Sequence, residues 1–481
     1  MKIGDYELKV KQAGQPSEST ISEQQQSSPL RLRVSLLVVA IVALGLGVHD
    51  NGGIISQMSM GCLVISMISA IQLLFFWHCP LSQIIGFRRK WFLVLIAAGL
   101  AIQFVALISH PLSRAFDTVP DPVLIYRILP LIFAVALLPA GLLIYREDSL
   151  GGWTFPLLII VQLTAGFLLI TALPNPLIDV FVVQEKAANA LIQGINPYTI
   201  RYPDIYPPEL SVRFYGPGMS VNGMVQSGYP YMPLTLFMSL CGSLLGDCRY
   251  ASLIAMTLAA CLIAYARPGR FSKIAAAFLL FTPFSLLMLY GAWIESYMML
   301  MLSVVWFCYC RSKRCLPYAM GLLFVSKQYM VLVAPLTLLL LTRPWHLRDI
   351  VAFSWRAILA GSMVTLPLVL WNIPEFMNNV IVGPFHLPMR WDSMSFMVLA
   401  RPENLTLWVW IFFAIAIATM IAALWLDQRH RVNFFFAIGI TFLLFFAFGT
   451  RAFANYYYMV VGSFCCALAA DTEDSLLSAD P

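Results

Sequence analysis

Apolar runs of about 20 residues, each long enough to cross roughly 30 Å of hydrocarbon as a helix, alternate along the chain with short polar breaks. Clear runs cover 30–48, 54–77, 91–109, 124–145 and 153–173, then 249–266, 274–292, 296–310, 351–371, 405–426, 432–449 and 452–470. They predict an all-α polytopic membrane protein of about 12 transmembrane helices, within a range of 11–14, since two further apolar pieces fit poorly. Pro233 to Gly246 is short for a crossing, and Leu316 to Leu341 is interrupted by Ser326-Lys327-Gln328. Each is expected to be re-entrant or broken, lining a cavity.

The pattern divides the chain into a polar tail (1–29), a first helical set (30–173), a long loop (174–232), a second helical set (233–470) and a short tail (471–481). The first tail carries the run QQQSSP, lacks the cleavage site of a signal peptide and reads as disordered. The loop is the one long polar stretch between spans, and loops of that length in compact proteins are functional or disordered. Its slight low-complexity content favours function.

Composition sharpens the class. Of 481 residues, 60% are hydrophobic and 11% charged, which excludes an ordinary soluble enzyme, where roughly 25% are charged. The formal charge of +6 reports topology rather than nucleic-acid binding. Lys and Arg cluster in the first tail, at 88–90, 267–273 and 311–314, so both tails are expected in the cytoplasm and the long loop outside. The ten Cys lie mostly in apolar runs; Cys308, Cys310 and Cys315 cluster beside Arg311, Lys313 and Arg314 and read as small apolar residues rather than a metal or acylation site.

Within the loop, Pro174-Asn175-Pro176-Leu177-Ile178-Asp179 places an acid just past a membrane helix. Val180 to Gln193 then shows apolar positions at helical spacing and ends at Gly194, predicting an amphipathic helix along the interface. Gly194-Ile195-Asn196-Pro197-Tyr198 follows, and Tyr229-Pro230-Tyr231-Met232-Pro233-Leu234 returns the chain to the membrane through fixed turns. This order resembles membrane glycosyltransferases of the GT-C superfamily, which use lipid-phosphate-linked sugars. Further echoes are Pro283 with Trp293-Ile294-Glu295, Ser326-Lys327-Gln328-Tyr329 ending in Pro335, and Pro388-Met389-Arg390-Trp391-Asp392-Ser393-Met394-Ser395. The likeness covers roughly 174–400. In that superfamily the acid usually follows the first membrane helix, whereas here four additional spans precede its helix.

The resemblance implies a GT-C-like bundle with an interfacial helix over a cavity, a polyprenyl-phosphate sugar donor and a glycan, lipid or protein acceptor. It also implies that Asp179 is the general base, a role its place beyond the helix end permits; a helix-capping acid is the alternative. Lys327 lies between two apolar runs, where charges are costly, and is a candidate for the donor phosphate alongside Arg390 and Arg451; snorkelling is its alternative. Glu185, Asn196, Tyr198, Tyr231, Glu295, Gln328, His386 and Asp392 are candidate substrate contacts. Outer loops hold no D-x-D, and the chain has no H-E-x-x-H, P-loop or dinucleotide fingerprint, so nucleotide-sugar and ATP chemistry lack support. The six His are scattered and indicate no zinc site; no cofactor is assigned, and a divalent metal stays open. Asn404-Leu405-Thr406 is a formal glycosylation triplet that arises easily by chance. The competing reading is a secondary transporter or lipid-linked-sugar flippase, against which the sequence shows no repeated halves. A polysaccharide polymerase or ligase would instead call for a catalytic loop bearing arginine and histidine.

Overall fold

Leu, Ile, Val, Ala and Phe fill the long runs, and in an apolar solvent a helix is the way one segment satisfies its own backbone. The structure, a computed structural model, describes residues 18–75, 89–112, 123–145, 149–430 and 433–470. Five helices precede the long loop: α1 (Glu18–Asn51), α2 (Gln57–Phe75), α3 (Arg89–Ser109), α4 (Leu129–Tyr145, entered through a π turn at Leu124–Ile128) and α5 (Ser149–Ala172). The loop contributes α6 (Asp179–Ile192) and α7 (Pro208–Tyr215). Beyond it come α8 (Pro233–Ser243), α9 (Arg249–Ala266), α10 (Arg270–Leu280), α11 (Ser285–Tyr290), α12 (Glu295–Arg311), α13 (Leu316–Phe324) and a 3-10 helix over Gln328–Leu340. The chain continues with α14 (Leu347–Trp371), α15 (Leu405–His430), α16 (Phe434–Ala447) and α17 (Ala454–Ala469).

Among the described residues, eight helices are long and apolar enough to cross a membrane: the segments 31–51, 57–75, 90–109, 124–145, 152–172, 249–266, 347–371 and 405–427. The other four expected crossings are shorter or broken. Pro283, which has no backbone N–H to donate, separates α10 from α11, and α12, α16 and α17 have 17, 14 and 16 residues. Helix α1 begins at Glu18 and so takes in the Ser- and Gln-rich residues 18–29 expected to be disordered, because Gln and Glu extend a helix readily once an apolar run nucleates it. Residues 1–17 and 471–481 lie outside the described residues.

Contacts at the chain's turns sort the helix ends into two groups. Arg249, opening α9, donates to Leu173 O at the end of α5 (2.8 Å), so both belong to the end that carries the long loop. At the other end Arg267 donates to Ala470 O (2.7 Å), Arg270 to Ile144 O (3.0 Å) and Arg311 to Tyr265 O (3.2 Å). The stretch 316–341 leaves this second end as α13, turns at Ser326-Lys327 beside Glu295, and returns so that Arg343 meets Asp427 (2.8 Å). It is a helical hairpin with Lys327 at its turn. The 11-residue α8 stays at the loop end and packs on α6.

The expectation of a purely helical chain needs one correction. The loop holds a three-stranded antiparallel sheet of two-residue strands, β1 (Tyr202–Pro203), β2 (Ser220–Val221) and β3 (Met224–Val225), in the order β1-β3-β2. Tyr202 pairs with Val225 and Val221 with Met224. The β2–β3 turn is Asn222-Gly223, both at positive φ (52° and 72°), the combination a two-residue hairpin demands. The loop also has a core of its own, in which Val183, Ala187, Tyr198, Tyr202, Tyr215, Val225 and Tyr229 pack with Leu368, Phe376 and Val380. That core fixes the cap to the end of α14 and makes it a rigid support.

Candidate active site

Asp179 is the first residue of α6, where the free N–H groups of a helix start favour a negative charge. Its Oδ1 accepts from Val180 N (2.9 Å) and from the Tyr206 hydroxyl (3.3 Å), and its Oδ2 accepts from the Tyr215 hydroxyl (3.2 Å). The acid is thus both a helix-start acceptor and the centre of a tyrosine clamp. The clamp is built locally: Asp204 accepts from Tyr206 N (3.0 Å) and from the Ser211 hydroxyl, so the turn before α7 is tied at both sides. Tyr206 then packs edge-on against Phe214 (4.8 Å), which leaves Tyr215 at the end of α7 beside Asp179. Burial pushes the Asp179 carboxyl above its ordinary value, and the Tyr215, Val180 and Tyr206 hydrogen bonds with the Arg390 charge offset only part of that push.

An arginine cluster comes within electrostatic reach of Asp179 through Arg390. The Arg390 guanidinium lies between the rings of Phe214 (4.2 Å) and Phe453 (4.5 Å), and its Nε and Nη2 each donate to Asp392 (2.9 Å). Arg213 reaches the same carboxylate (3.1 Å). Burial works against the Asp392 anion, but the two guanidiniums outweigh it and hold the carboxyl below the usual range. Arg451 donates through Nη2 to Pro388 O and is close enough to Arg390 to feel its charge. The segment is fixed from beneath: Ile55 N donates to Asp392 O (3.0 Å), and Met394 N donates to Gly53 O (3.1 Å) and Ala452 O (2.9 Å). Gly53, at φ +81°, allows this approach, since a Cβ there would overlap the backbone of Phe453 and Ala454. With Asp179 and Asp392 both ionised, Arg213, Arg390 and Arg451 still leave a net positive charge.

A second polar group lies inside the bundle. Lys327 forms a buried ion pair with Glu295, whose Oε1 also accepts from Asn455 Nδ2 (2.9 Å) while Oε2 has no hydrogen-bond partner among the described residues. Tyr456, Tyr329 and Tyr231 present their rings 5.0, 5.3 and 5.9 Å from the Lys327 ammonium. Tyr231 is in electrostatic reach of both Glu295 and Asp179.

The remaining expected contacts divide by role. Tyr198 is fully buried, donates to Tyr231 O (3.0 Å) and packs on Tyr229 and Phe376, while Asn196 Oδ1 holds the Tyr198 N–H (2.9 Å). Gln328 donates to Pro230 O (2.9 Å) and Val380 O (3.1 Å). These three build the walls and offer little to a ligand. Glu185 accepts from Cys248 N (2.6 Å) on the α8–α9 turn, away from the tyrosine clamp, and His386 is exposed at the end of a short helical turn. Glu185, Asp247 and Cys248 form one group of potential metal ligands, within 4.8 Å of one another. Asp247 is chelated by Arg249 (2.6–3.2 Å) and Glu185 is engaged by the backbone, so hydrogen-bond donors already occupy this set. Sequence reading missed Tyr206, Tyr215, Arg213, Asn455 and Asn379; the last accepts from Gly228 N (2.7 Å) and donates to Tyr198 O (2.9 Å). The aromatic density of 198–231 was the available signal for the two tyrosines.

No protein-family model, curated protein sequence or solved structure matches this chain.

Proposed function

We propose that the protein is an integral membrane glycosyltransferase of the GT-C type that takes a sugar from a polyprenyl-phosphate donor and passes it to an acceptor hydroxyl at the extracytoplasmic face. The observation that carries the reading is Asp179: a carboxylate of raised basicity, aimed by two tyrosine hydroxyls, within electrostatic reach of an arginine cluster at the loop end. A general base works best when its pKa is drawn toward the working pH, and burial moves Asp179 in that direction. The Lys and Arg bias of the sequence supports this orientation, with the opposite end on the cytoplasmic side.

In the reaction, Asp179 takes the proton from the acceptor hydroxyl as its oxygen attacks the anomeric carbon. The bond from that carbon to the phosphate oxygen breaks, and its electron pair leaves with the polyprenyl phosphate. Direct displacement inverts the anomeric centre. Arg390 and Arg451 are placed to stabilise the departing phosphate, since their cluster keeps positive charge after Asp392 is counted. Lys327 is a weaker partner for that phosphate, because its charge is already matched by Glu295.

The test is transfer of radiolabelled sugar from a panel of polyprenyl-phosphate sugars in proteoliposomes, comparing the intact protein with Asp179→Asn. Loss of transfer in a folded variant supports the reading, and equal transfer removes Asp179 from the chemistry. The broken α10–α11 and the hairpin with its buried ion pair favour one alternative, a lipid-linked-sugar flippase or secondary transporter. Labelled lipid crossing the bilayer without any transfer selects it.

A further inference from the structure

Between the end of α5, the outer side of α6 and the α8–α9 turn lies a groove of about 570 Å³, distinct from the tyrosine clamp. Its polar lining includes Asn175, Glu185, Lys186, Asn189, Asp247 and Tyr250, with the Phe181 ring beside them. Amides set among aromatic faces suit a polyhydroxylated ligand, which offers hydroxyls to the first and C–H faces to the second. The formal charges of the lining sum to zero, Glu185 and Asp247 against Lys186 and the buried Arg249 that chelates Asp247. A neutral headgroup therefore fits this lining better than a phosphate.

The surroundings add a tail path. On α5 the exposed residues Ile160, Leu163 and Phe167 form a stripe that rises one turn at a time to Thr171 in the groove wall. On α9, Ile254 and Leu258 continue the line of Tyr250 in the same way, and the Phe167 and Tyr250 rings meet at 6.1 Å. Helices α5 and α9 pack together, and a Cβ at Gly166 would collide with Leu253 of α9. Two apolar stripes thus run side by side from the groove along the outside of the bundle.

We propose that this groove binds a membrane amphiphile with an uncharged glycosyl headgroup, the headgroup among Asn175, Asn189 and Tyr250 and the chain along the α5–α9 furrow. Binding does not depend on the transferase reading; under that reading the occupant is the acceptor lipid, since the positive cluster near Asp179 suits the anionic donor.

The experiment places the full chain in nanodiscs with a photoactivatable diazirine glucosyl lipid and maps the labelled peptides by mass spectrometry. The expected result is labelling within 160–189 and 245–258 that excess unlabelled glucosyl lipid displaces and phosphatidylglycerol does not. Asn189→Trp, which fills the groove from its exposed side, is expected to weaken displacement roughly tenfold, equivalent to about 1.4 kcal/mol, and Asn189→Ala to weaken it less. Labelling spread evenly over the bundle and unchanged in Asn189→Trp overturns the site. Equal displacement by phosphatidylglycerol overturns its preference for a neutral headgroup, and full displacement by a free disaccharide overturns the amphiphile in favour of a soluble sugar. Groove labelling in a protein that transfers no sugar leaves the site standing and removes only the transferase reading.

Discussion

Lys327, at the turn of the 316–341 hairpin, is ion-paired with Glu295, the first residue of α12, and both side chains are buried. The pair joins the hairpin to the start of α12, and Asn455 extends it to the start of α17. A buried charge that loses its partner is far costlier than the pair itself is favourable, so single and double substitutions should behave very differently. Glu295→Gln or Lys327→Met alone is expected to destabilise the protein by about 3–5 kcal/mol, while the double variant recovers most of the loss. Thermal unfolding of all four proteins in one detergent checks this. Additive losses would show that the two charges do not depend on each other.

The Asp179 clamp predicts a pH profile. If Asp179 is the base, transfer requires its carboxylate, so the rate rises with pH through a midpoint above the ordinary carboxylate value near ~3.9. The Tyr215 and Tyr206 hydroxyls favour the charged form, the first more strongly, so removing either moves the midpoint further up. Tyr215→Phe is expected to shift it more than Tyr206→Phe. Rate against pH for the three proteins gives the order, and a downward shift in either variant would contradict the arrangement.

Linkage gives an independent test that needs no substrate. The folded carboxyl binds its proton more tightly than the unfolded one, so its ionisation costs stability as pH rises from the unfolded value through the folded value. Asp179→Asn removes that cost while keeping an oxygen for the Val180 N–H. The variant should melt at a higher temperature than the parent at pH 7, with the gap closing toward pH 4. A lower melting temperature at pH 7 would mean that the hydrogen bonds outweigh burial.

Legibility in the sequence followed physical range. Segments whose length and hydropathy suffice by themselves were visible, among them 124–145, 249–266 and 347–371. So was the hairpin turn, because Ser326-Lys327-Gln328 is an unmistakable polar break between apolar runs, and so was Asp179 at a helix start. The clamp around Asp179 was not, since Tyr206 and Tyr215 are 27 and 36 residues away and reach it only through the fold of the cap. Nor was the Lys327–Glu295–Asn455 network, whose members are 32 and 160 residues from Glu295. The Asn222-Gly223 turn was readable in principle, but flanking strands of two residues give too little alternation to register.

Arg390 is held by both charge and ring faces, which a lysine cannot reproduce. Arg390→Lys should weaken binding of an anionic donor by roughly 10–100-fold, in line with about 1.5–3 kcal/mol for a hydrogen bond to a charged group. It should also raise the Asp392 pKa toward the ordinary range, leaving Arg213 as its partner. The native carboxyl, held low, contributes stability above its unfolded pKa and loses it as pH falls through the folded value, so the variant begins to lose stability at a higher pH on acidification. Donor affinity and acid unfolding measured on the same protein separate the two effects, and unchanged affinity would take Arg390 out of the phosphate site.

The hairpin is also held by an approach that only glycine allows. Gly321 of α13 faces the Ala357 carbonyl of α14 so closely that a Cβ would overlap it, and a Cβ on Gly361 would come within 2.9 Å of Val325 Cγ1. The small residues Ala357 and Gly361, four apart, form the flat stripe that lets the two helices touch along their backbones. Gly321 meets backbone at clashing distance, which cannot rotate away, whereas Gly361 first meets the end of a side chain that can, with the Gly321 carbonyl oxygen farther off at 3.2 Å. Gly321→Ala is therefore expected to cost about 1–3 kcal/mol or more through overpacking, and Gly361→Ala less. Because α13 leads straight to Lys327, the first variant should also disturb the Glu295 pair, making its effect less than additive with Lys327→Met. Denaturation of the single and double variants measures this coupling, and strict additivity would show that the helix contact and the ion pair act independently.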